Sequence, residues 1–522
     1  MNHDPAKSEG LPRYPESMWR KTTSLPAFSK LTEDIDTEVA VIGAGIAGIT
    51  TAYLLVQAGL KVTVVDASKI LDGTTGYTTA KITAQHGLIY DQLISHFGRD
   101  SARLYYEANE EALQFIEKTI KERGIECQFR HEDSYLYADS DQQLKQLEAE
   151  WKAYEELGLP ADWLDKLSLP LEDRGAIVLR NQAQFHPLFY LRDLVAYITE
   201  HGGTFYEHTT LKGAFENIEG GRLRLTTDDG PSIICTHAVS ASHFPFIDGK
   251  GLYFARLYSE RSYVVALEPE TAFPGGMYIN VDRPTRSLRS SQWNGKDIVL
   301  ASGETHKTGK DDCTIKHYEH LEKFGRTVFG AKSIPFRWST QDLETLDKVP
   351  YIGHHTKNQR NIYVATGFGK WGMTSSTVSA LLIHDLIIEK ENRYTELFTP
   401  SRFIGEPTVK NFITQNADVA KEWVTGKVEI VHLKPEDLVP DQGAVVKHQG
   451  KRAGAYRDPE GLLYLVDTTC THMGCEVKWN EAERSWDCPC HGSRFNYKGE
   501  VIEGPATEDL PRLSRQPEQE KS

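Results

Sequence analysis

The sequence predicts an α/β domain carrying an inserted antiparallel sheet, followed by a small all-β domain. Three observations point there: a β-α-β unit around a glycine turn at 43–48, a strand-rich stretch from about 203 to 300, and a C-terminal run of short strands holding two boxes of Cys and His. At 522 residues the chain is longer than one hydrophobic core organises, so division into domains is the default.

Along the chain, residues 1–36 are rich in Pro, Ser and charge and read as an irregular arm. The apolar strand Val39–Ile42 then meets a glycine turn. The helix "IAGITTAYLLVQA" follows and stops at Gly59, where a left-handed cap is easiest, and "KVTVVDA" supplies the second strand. A β-α-β unit of this kind implies a parallel sheet. Helical spacing recurs at about 100–123 and 141–157. "NIYVATGFGKWGMTSSTVSALLIHDLII" gives a strand, a glycine turn and a long apolar helix, and residues 390–425 are mixed and polar.

Composition bounds the partners. Apolar residues make up 39% and charged residues 25%, an ordinary globular balance, and the net charge of −15 gives a nucleic-acid partner no electrostatic support. No apolar run reaches the ~18 residues a membrane span needs, and the N-terminus has no export signal, so a cytoplasmic setting is expected. Of seven cysteines, Cys127, Cys235 and Cys313 are scattered and read as buried structural thiols.

Gly43, Gly45 and Gly48 stand in G-x-G-x-x-G spacing. The first permits the tight turn, the second lets backbone approach a pyrophosphate, and the third allows close helix–strand packing over an anion-binding helix N-terminus. Asp66, ending the second strand, stands where a carboxylate accepts hydrogen bonds from a ribose. Together these features predict nucleotide binding. "DGTTGYTTAK" (72–81), "FRWSTQDLETLDKVPYIG" (336–353) and "YVATGFGKWGM" (363–373) then make residues 35–400 resemble the D-amino-acid oxidase and glycine oxidase family of flavoproteins. The resemblance implies FAD, with Thr74, Thr75 and Gly76 in a turn beside the flavin and Gly367 and Gly369 packed under it. Neither "GYTTAK" nor "RWSTQD" offers a His or Cys for covalent attachment, so non-covalent FAD is expected. No second G-x-G-x-x-G marks a nicotinamide site, so electrons are expected to enter from a substrate.

Members of that family oxidise a C–N bond of an amine or amino acid, and the flavin carries the chemistry. A carboxylate substrate calls for a bidentate arginine. In "ARLYSERSYVVAL" the candidates are Arg256, Tyr258, Arg261 and Tyr263, with Trp338, Lys370 and Trp371 beside the flavin turns. The tyrosines equally suit a half-buried sheet, and the arginines equally suit ion pairs.

The C-terminal boxes are "CTHMGC" (470–475) and "WDCPCHGSRF" (486–495). A tetrahedral zinc site drawing Cys and His from each box is physically open. The spacing Cys470-x-His472 and Cys488-x-x-His491 resembles the Rieske 2Fe–2S signature, in which two thiolates hold one iron and two imidazoles the other. Such ligation sets the potential at ~−150 to +300 mV, against ~−400 mV for plant-type clusters. The resemblance further implies a Cys475–Cys490 disulfide, although the cytoplasm disfavours one, and a covering loop at "EGPATEDLP" (503–511). In high-potential relatives a Ser after "CHG" and a Tyr two residues on donate to the cluster sulfurs. Here Ser493 is present and Phe495 replaces the tyrosine, which implies a lower potential.

The expected architecture is therefore an FAD-binding Rossmann-like domain with an inserted antiparallel-sheet substrate domain, then a small all-β Rieske domain. The boundaries are an arm at 1–36, an FAD-dependent oxidoreductase domain at 37–395 (cofactor segments near 37–100, 175–250 and 335–395, substrate segments between), a linker at 396–425, a Rieske domain at 426–515 and a tail at 516–522. The expected function is oxidation of an amine or amino-acid-like substrate, with electrons passed singly through the cluster to an unnamed one-electron acceptor. The alternative is a redox-sensing or electron-transfer protein in which the cluster regulates or feeds the flavin. A Rieske oxygenase needs two histidines and a carboxylate on a mononuclear iron; "HYEH" (317–320) and "HH" (354–355) read instead as surface residues of a helix and a turn.

Overall fold

Strand Val39–Ile42 is apolar and buried at every position, as a strand covered on both faces must be. It pairs in parallel with Val62–Val65 on one side and His237–Ser240 on the other. These form the centre of a six-stranded sheet whose order is 351–356, 359–366, 237–240, 39–42, 62–65, 204–206. The computed structural model describes residues 10–249, 251–311, 314–402, 406–428 and 431–513. Cys313 and the 516–522 tail lie outside them.

Helix Ile46–Gln57 ends as its sequence suggests, with Gly59 at φ +83°. Its small and apolar residues pack among helices Pro187–Glu200 and Gly372–Ile387, and Ile49, Leu55, Leu191 and Ile383 are fully buried in one cluster. Each such side chain contributes about 1.5–3 kcal/mol. Helices Arg99–Arg123 and Asp141–Leu157 occupy the stretches their spacing marks.

A nine-stranded sheet forms the second layer, running 333–345, 257–268, 296–307, 286–293, 277–280, 130–138, 175–184, 81–82, with 161–164 paired to 175–184. Strands 175–184 and 333–345, grouped by the sequence reading with the cofactor segments, lie in this sheet, where their backbones pair antiparallel with 130–138 and 257–268.

The C-terminal unit is all β: a three-stranded sheet at 442–448, 451–457 and 463–466, and a four-stranded one at 478–480, 485–487, 494–496 and 501–503. The segment before it contains a helix, Glu406–Val428. Asn411 Nδ2 donates to Leu346 O at 2.9 Å and Asn416 Nδ2 to Ala255 O at 3.0 Å, so that helix is tied to the large unit.

The arm is more ordered than its composition suggests. Helix Met18–Thr22 buries Met18 and Trp19, and Trp19 Nε1 donates to Thr78 O at 2.7 Å. Cys127 and Cys235 are buried, and burial pushes both thiols up to about 12. Of the histidines expected at the surface, His355 is buried and His317 is half-buried: helix Ile315–Phe329 lays His317 against Tyr263, and the strand Tyr351–Thr356 turns His355 inward beside Tyr253. Among the described residues, no helix is long and apolar enough to cross a membrane.

Candidate functional site

The glycine turn is packed against the chain at Ala241 and against itself at Gly48. Gly43 adopts φ +103°, and a Cβ there would lie 2.4 Å from Ala241 O; a Cβ on Gly48 would lie 1.9 Å from Gly43 O. Only glycine fits at either position. Gly45 caps the helix, and a Cβ on it would meet Thr75 Oγ1 at 3.0 Å. Asp66 accepts from Ala44 N at 2.7 Å and from Ser68 N at 2.8 Å, while burial raises its carboxyl above the usual range. Thr75 Oγ1 accepts from Ile46 N at 3.0 Å, and Ser17 Oγ donates to Gly76 O, so the arm pins the turn at 73–77. Across the site, Gly367 at φ +74° leaves no room for a Cβ, which would meet Thr345 Cγ2 at 2.4 Å, and Gly369 N donates to Leu343 O at 3.0 Å. A glycine cradle at a helix N-terminus, with a buried carboxylate at the end of the next strand, fits a dinucleotide.

The candidates for substrate contact separate into two groups. Tyr258 and Lys370 come together at Glu344: Tyr258 Oη donates to Glu344 at 2.7 Å, Lys348 Nζ ion-pairs with the same carboxylate, and Lys370 lies 3.8 Å from it and 2.7 Å from Glu260. Burial works against the Glu344 charge, yet the two lysines hold its carboxyl down to about 2, whereas burial pushes nearby Asp342 up to about 7. Arg261, Tyr263 and Trp338 do not join this group. Tyr263 is fully buried against His306, and Trp338 Nε1 donates to Tyr77 O at 2.8 Å. Arg261 faces the C-terminal unit, 3.6 Å from Glu483 and 3.5 Å from Glu503. Arg256 stacks on Tyr351 and donates to Pro400 O.

Sequence reasoning passed over Lys81 and Arg289. Lys81 closes the quoted "GYTTAK", yet its ammonium turns inward to Tyr278 O at 2.9 Å and to Ser287 Oγ. Arg289 donates to Thr79 O and Ala80 O. Burial lowers Lys81 to about 7 and Arg289 to about 9. Two buried basic side chains thus lie beside the segment 73–81, and only knowledge of the strand 286–293 crossing over it could have revealed them.

In the C-terminal unit, the two boxes form facing loops. Cys470 N donates to Cys475 O at 2.8 Å and Cys488 N to Ser493 O at 2.8 Å. Cys470 and Cys488 are free, buried and hydrogen-bonded to one another, which pulls Cys470 down and pushes Cys488 up. Cys475 and Cys490 are joined by a disulfide. The His472 and His491 rings lie 5.0 Å apart. His472 Nδ1 is buried with no hydrogen-bond partner among the described residues, and burial, reinforced by His472, lowers His491 to about 3. Two free thiols, an orphaned imidazole nitrogen and a neutral second imidazole are the donor set a Rieske cluster takes. Ser493 hydrogen-bonds the Cys470 thiol and accepts from Ala506 N at 3.0 Å, which fastens the 503–511 loop over the site.

The two units meet at this site. Phe244 lies 6.2 Å from the His472 ring and Phe254 lies 5.9 Å from His491. Ala482 is buried in the same apolar cluster as Tyr263, Tyr318 and Leu321, and Tyr318 Oη donates to Glu483 at 2.6 Å. His306, Asp311 and His317 also gather within 4.8 Å. Their ring nitrogens already have protein partners: Tyr263 and Lys307 O for His306, Glu304 and Asp311 for His317. Burial works against the Glu304 charge, yet His317 and Arg286 hold its carboxyl down to about 2. Hydrogen bonding to protein groups accounts for both rings.

Comparison with known proteins identifies both units. The family model for FAD dependent oxidoreductases (DAO) matches residues 38–386, and that for the Rieske [2Fe-2S] domain matches 429–514. A protein of Bacillus subtilis (strain 168) named as a Rieske 2Fe-2S iron-sulfur protein, YhfW, is 48% identical over 499 residues, covering 96% of this chain and 97% of its own. Gamma-glutamylputrescine oxidoreductase of Escherichia coli (strain K12) is 24% identical, covering 70% of this chain and 87% of its own. The crystal structure of glycine oxidase from Geobacillus kaustophilus superposes with a TM-score of 0.60 at 17% identity, over 71% of this chain and 100% of that one. The chain therefore belongs to the DAO family of FAD-dependent oxidoreductases and carries a C-terminal Rieske 2Fe–2S domain.

Proposed function

We propose that the protein is a dehydrogenase for an amine or amino-acid-like small molecule, in which FAD accepts a hydride from the substrate C–N carbon and the Rieske cluster delivers the electrons singly to a one-electron acceptor. Each turnover converts an amine to an imine, releasing two electrons and two protons in all. Gly43, Gly45, Gly48, Asp66, Thr74, Thr75, Gly76, Gly367 and Gly369 are assigned to the flavin nucleotide. Cys470, His472, Cys488 and His491 are assigned to the cluster, with the Cys475–Cys490 disulfide bracing its loops. Tyr258, Lys370 and Glu344 offer hydrogen bonds and charge to a polar substrate, and Lys81 offers a buried amine that titrates at about 7 behind the cofactor turn.

The observation that carries this reading is the direct packing of the cluster loops on the flavoprotein unit, with Phe244 and Phe254 against the two histidines. The E. coli relative named for gamma-glutamylputrescine supports an amine substrate. The test is an anaerobic screen of amines and amino acids read by flavin bleaching. Reduced protein is then mixed with oxygen or with a one-electron dye. Rapid dye reduction with a bleached cluster is expected; fast peroxide formation over an oxidised cluster refutes the one-electron exit.

A further inference from the structure

Strand Ser333–Thr345 runs between the cofactor turn and the cluster loops, and one of its residues touches both. The Gln341 carbonyl accepts from Thr74 Oγ1 at 3.0 Å, and Thr74 belongs to the turn assigned above to the flavin. The side-chain Nε2 of the same residue donates to Gly492 O at 2.9 Å, across 151 residues of sequence. Its Oε1 accepts from Thr308 Oγ1 at 2.8 Å, which fixes the nitrogen end of the amide toward Gly492. Gln341 is 1% exposed, so both side-chain bonds are shielded from water.

Gly492 lies between His491, assigned to the cluster, and Ser493, whose hydroxyl bonds Cys470. There is no space between this loop and the sheet. A Cβ on Gly492 would come within 2.4 Å of Ser259 Oγ, and one on Gly309 within 2.7 Å of Pro489 N. The glycines let the loop approach closely, and the glutamine locks it there.

We propose that Gln341 is the positioning residue that couples the two redox sites, holding the cluster loop against the flavin turn so that electrons cross between them through one hydrogen-bonded residue. Nothing reacts at Gln341. Its donor and acceptor set the separation and register of His491 relative to Thr74. The inference rests on the proposed flow of electrons from flavin to cluster: two electrons from each substrate oxidation cross in succession, and a one-electron acceptor outside the chain collects them.

The test uses the holoprotein with FAD and cluster bound. A laser flash with 5-deazaflavin as photoreductant reduces the flavin, and flavin reoxidation is followed together with cluster bleaching. Gln341→Met keeps side-chain bulk but removes both side-chain hydrogen bonds, to Gly492 O and from the Thr308 hydroxyl; the transfer step is expected to slow at least about tenfold. The Rieske EPR spectrum should shift as well, because Gly492 adjoins His491. Thr308→Val removes the hydroxyl that fixes the Gln341 amide toward Gly492 and should slow the same step, whereas Thr308→Ser keeps the hydroxyl and the wild-type rate. Should Gln341→Met not load its cofactors, the Thr308 pair decides. Wild-type transfer in Thr308→Val, or in a loaded Gln341→Met, overturns the inference alone. Absence of flavin-to-cluster transfer in the wild type overturns the electron route and this inference with it.

Discussion

Replacing Arg261 by Met tests whether this arginine clamps a substrate or holds the two units together. Arg261 is 1% exposed, and its guanidinium faces Glu503 at 3.5 Å and Glu483 at 3.6 Å. Removing one partner of a buried ion pair leaves charge uncompensated at a cost of about 3–5 kcal/mol. Here the loss falls at the lower end, because Glu503 keeps Arg494 at 3.2 Å and Glu483 keeps the Tyr318 hydroxyl at 2.6 Å. About 3 kcal/mol corresponds to roughly a hundredfold in the docking equilibrium. Urea unfolding, followed by visible circular dichroism of the cluster, should show the midpoint fall by about 1–3 M for an ordinary urea dependence. Glu483→Gln in the same background should recover part of the loss, since it removes a stranded charge. An unchanged midpoint together with a raised KM for an amino-acid substrate refutes the argument and restores the clamp.

Three further expectations follow from single sites. Gly48→Ala places a methyl group 1.9 Å from Gly43 O; overpacking of about 1–3 kcal/mol should weaken FAD binding tenfold or more, read as flavin per protein and by fluorescence titration. Asp441 is 10% exposed at its side chain, and although burial opposes its charge, hydrogen bonds from Arg484 and Tyr456 hold its carboxyl down to about 2. Its folded value lies below the ordinary 3.8, so it contributes about 2 kcal/mol near neutrality, lost as pH falls from about 4 toward 2; Asp441→Asn should flatten that part of a Tm–pH profile, and parallel profiles would count against the pairing. Phe495 is fully buried in the apolar cluster that contains Cys470 and Cys488. Phe495→Tyr, if its hydroxyl donates to a cluster sulfur, should raise the potential by about 50 mV in a redox titration, and no upward shift contradicts the proposed cause of a lowered potential.

What the sequence reveals divides by the range of the interactions. The glycine turn is readable because its spacing is local and Gly48 packs on the Gly43 carbonyl five residues away, although the atoms that crowd Gly43 and Gly45 belong to Ala241 and Thr75. The cluster boxes are readable because short loops impose the ligand spacing. Arg261 is not: Glu503 lies 242 residues away in sequence, so nothing local separates an interface arginine from a substrate clamp. His317 is misread for the same reason, since a polar face on helix Ile315–Phe329 turns inward only where Glu304 and Asp311 wait to pair with it. The arm hides its role because five residues, Met18–Thr22, carry too little pattern to show a helix. Lys81 sat within a quoted motif, but its inward direction depends on strand 286–293 crossing above it.

The helix Glu406–Val428 changes what the fusion of the two units means. A Rieske domain on a flexible tether would sample many orientations, and its cluster would meet the flavin only part of the time. Here the connecting segment is itself a packed element. Asp418 pairs with both Lys307 and Lys310, Glu422 pairs with Lys310 and Lys478, and Val419 packs against the apolar cluster around Cys490. One helix therefore binds residues of both units along a single face. The loop carrying Phe244 and Phe254, which meets the two histidines, follows strand His237–Ser240, the neighbour of the strand that begins the nucleotide cradle. The cradle, the histidine face and the strut are thus parts of one framework. Loosening it should act on electron transfer before it acts on substrate oxidation, because the flavin-side groups lie on the large unit while the cluster depends on the contact.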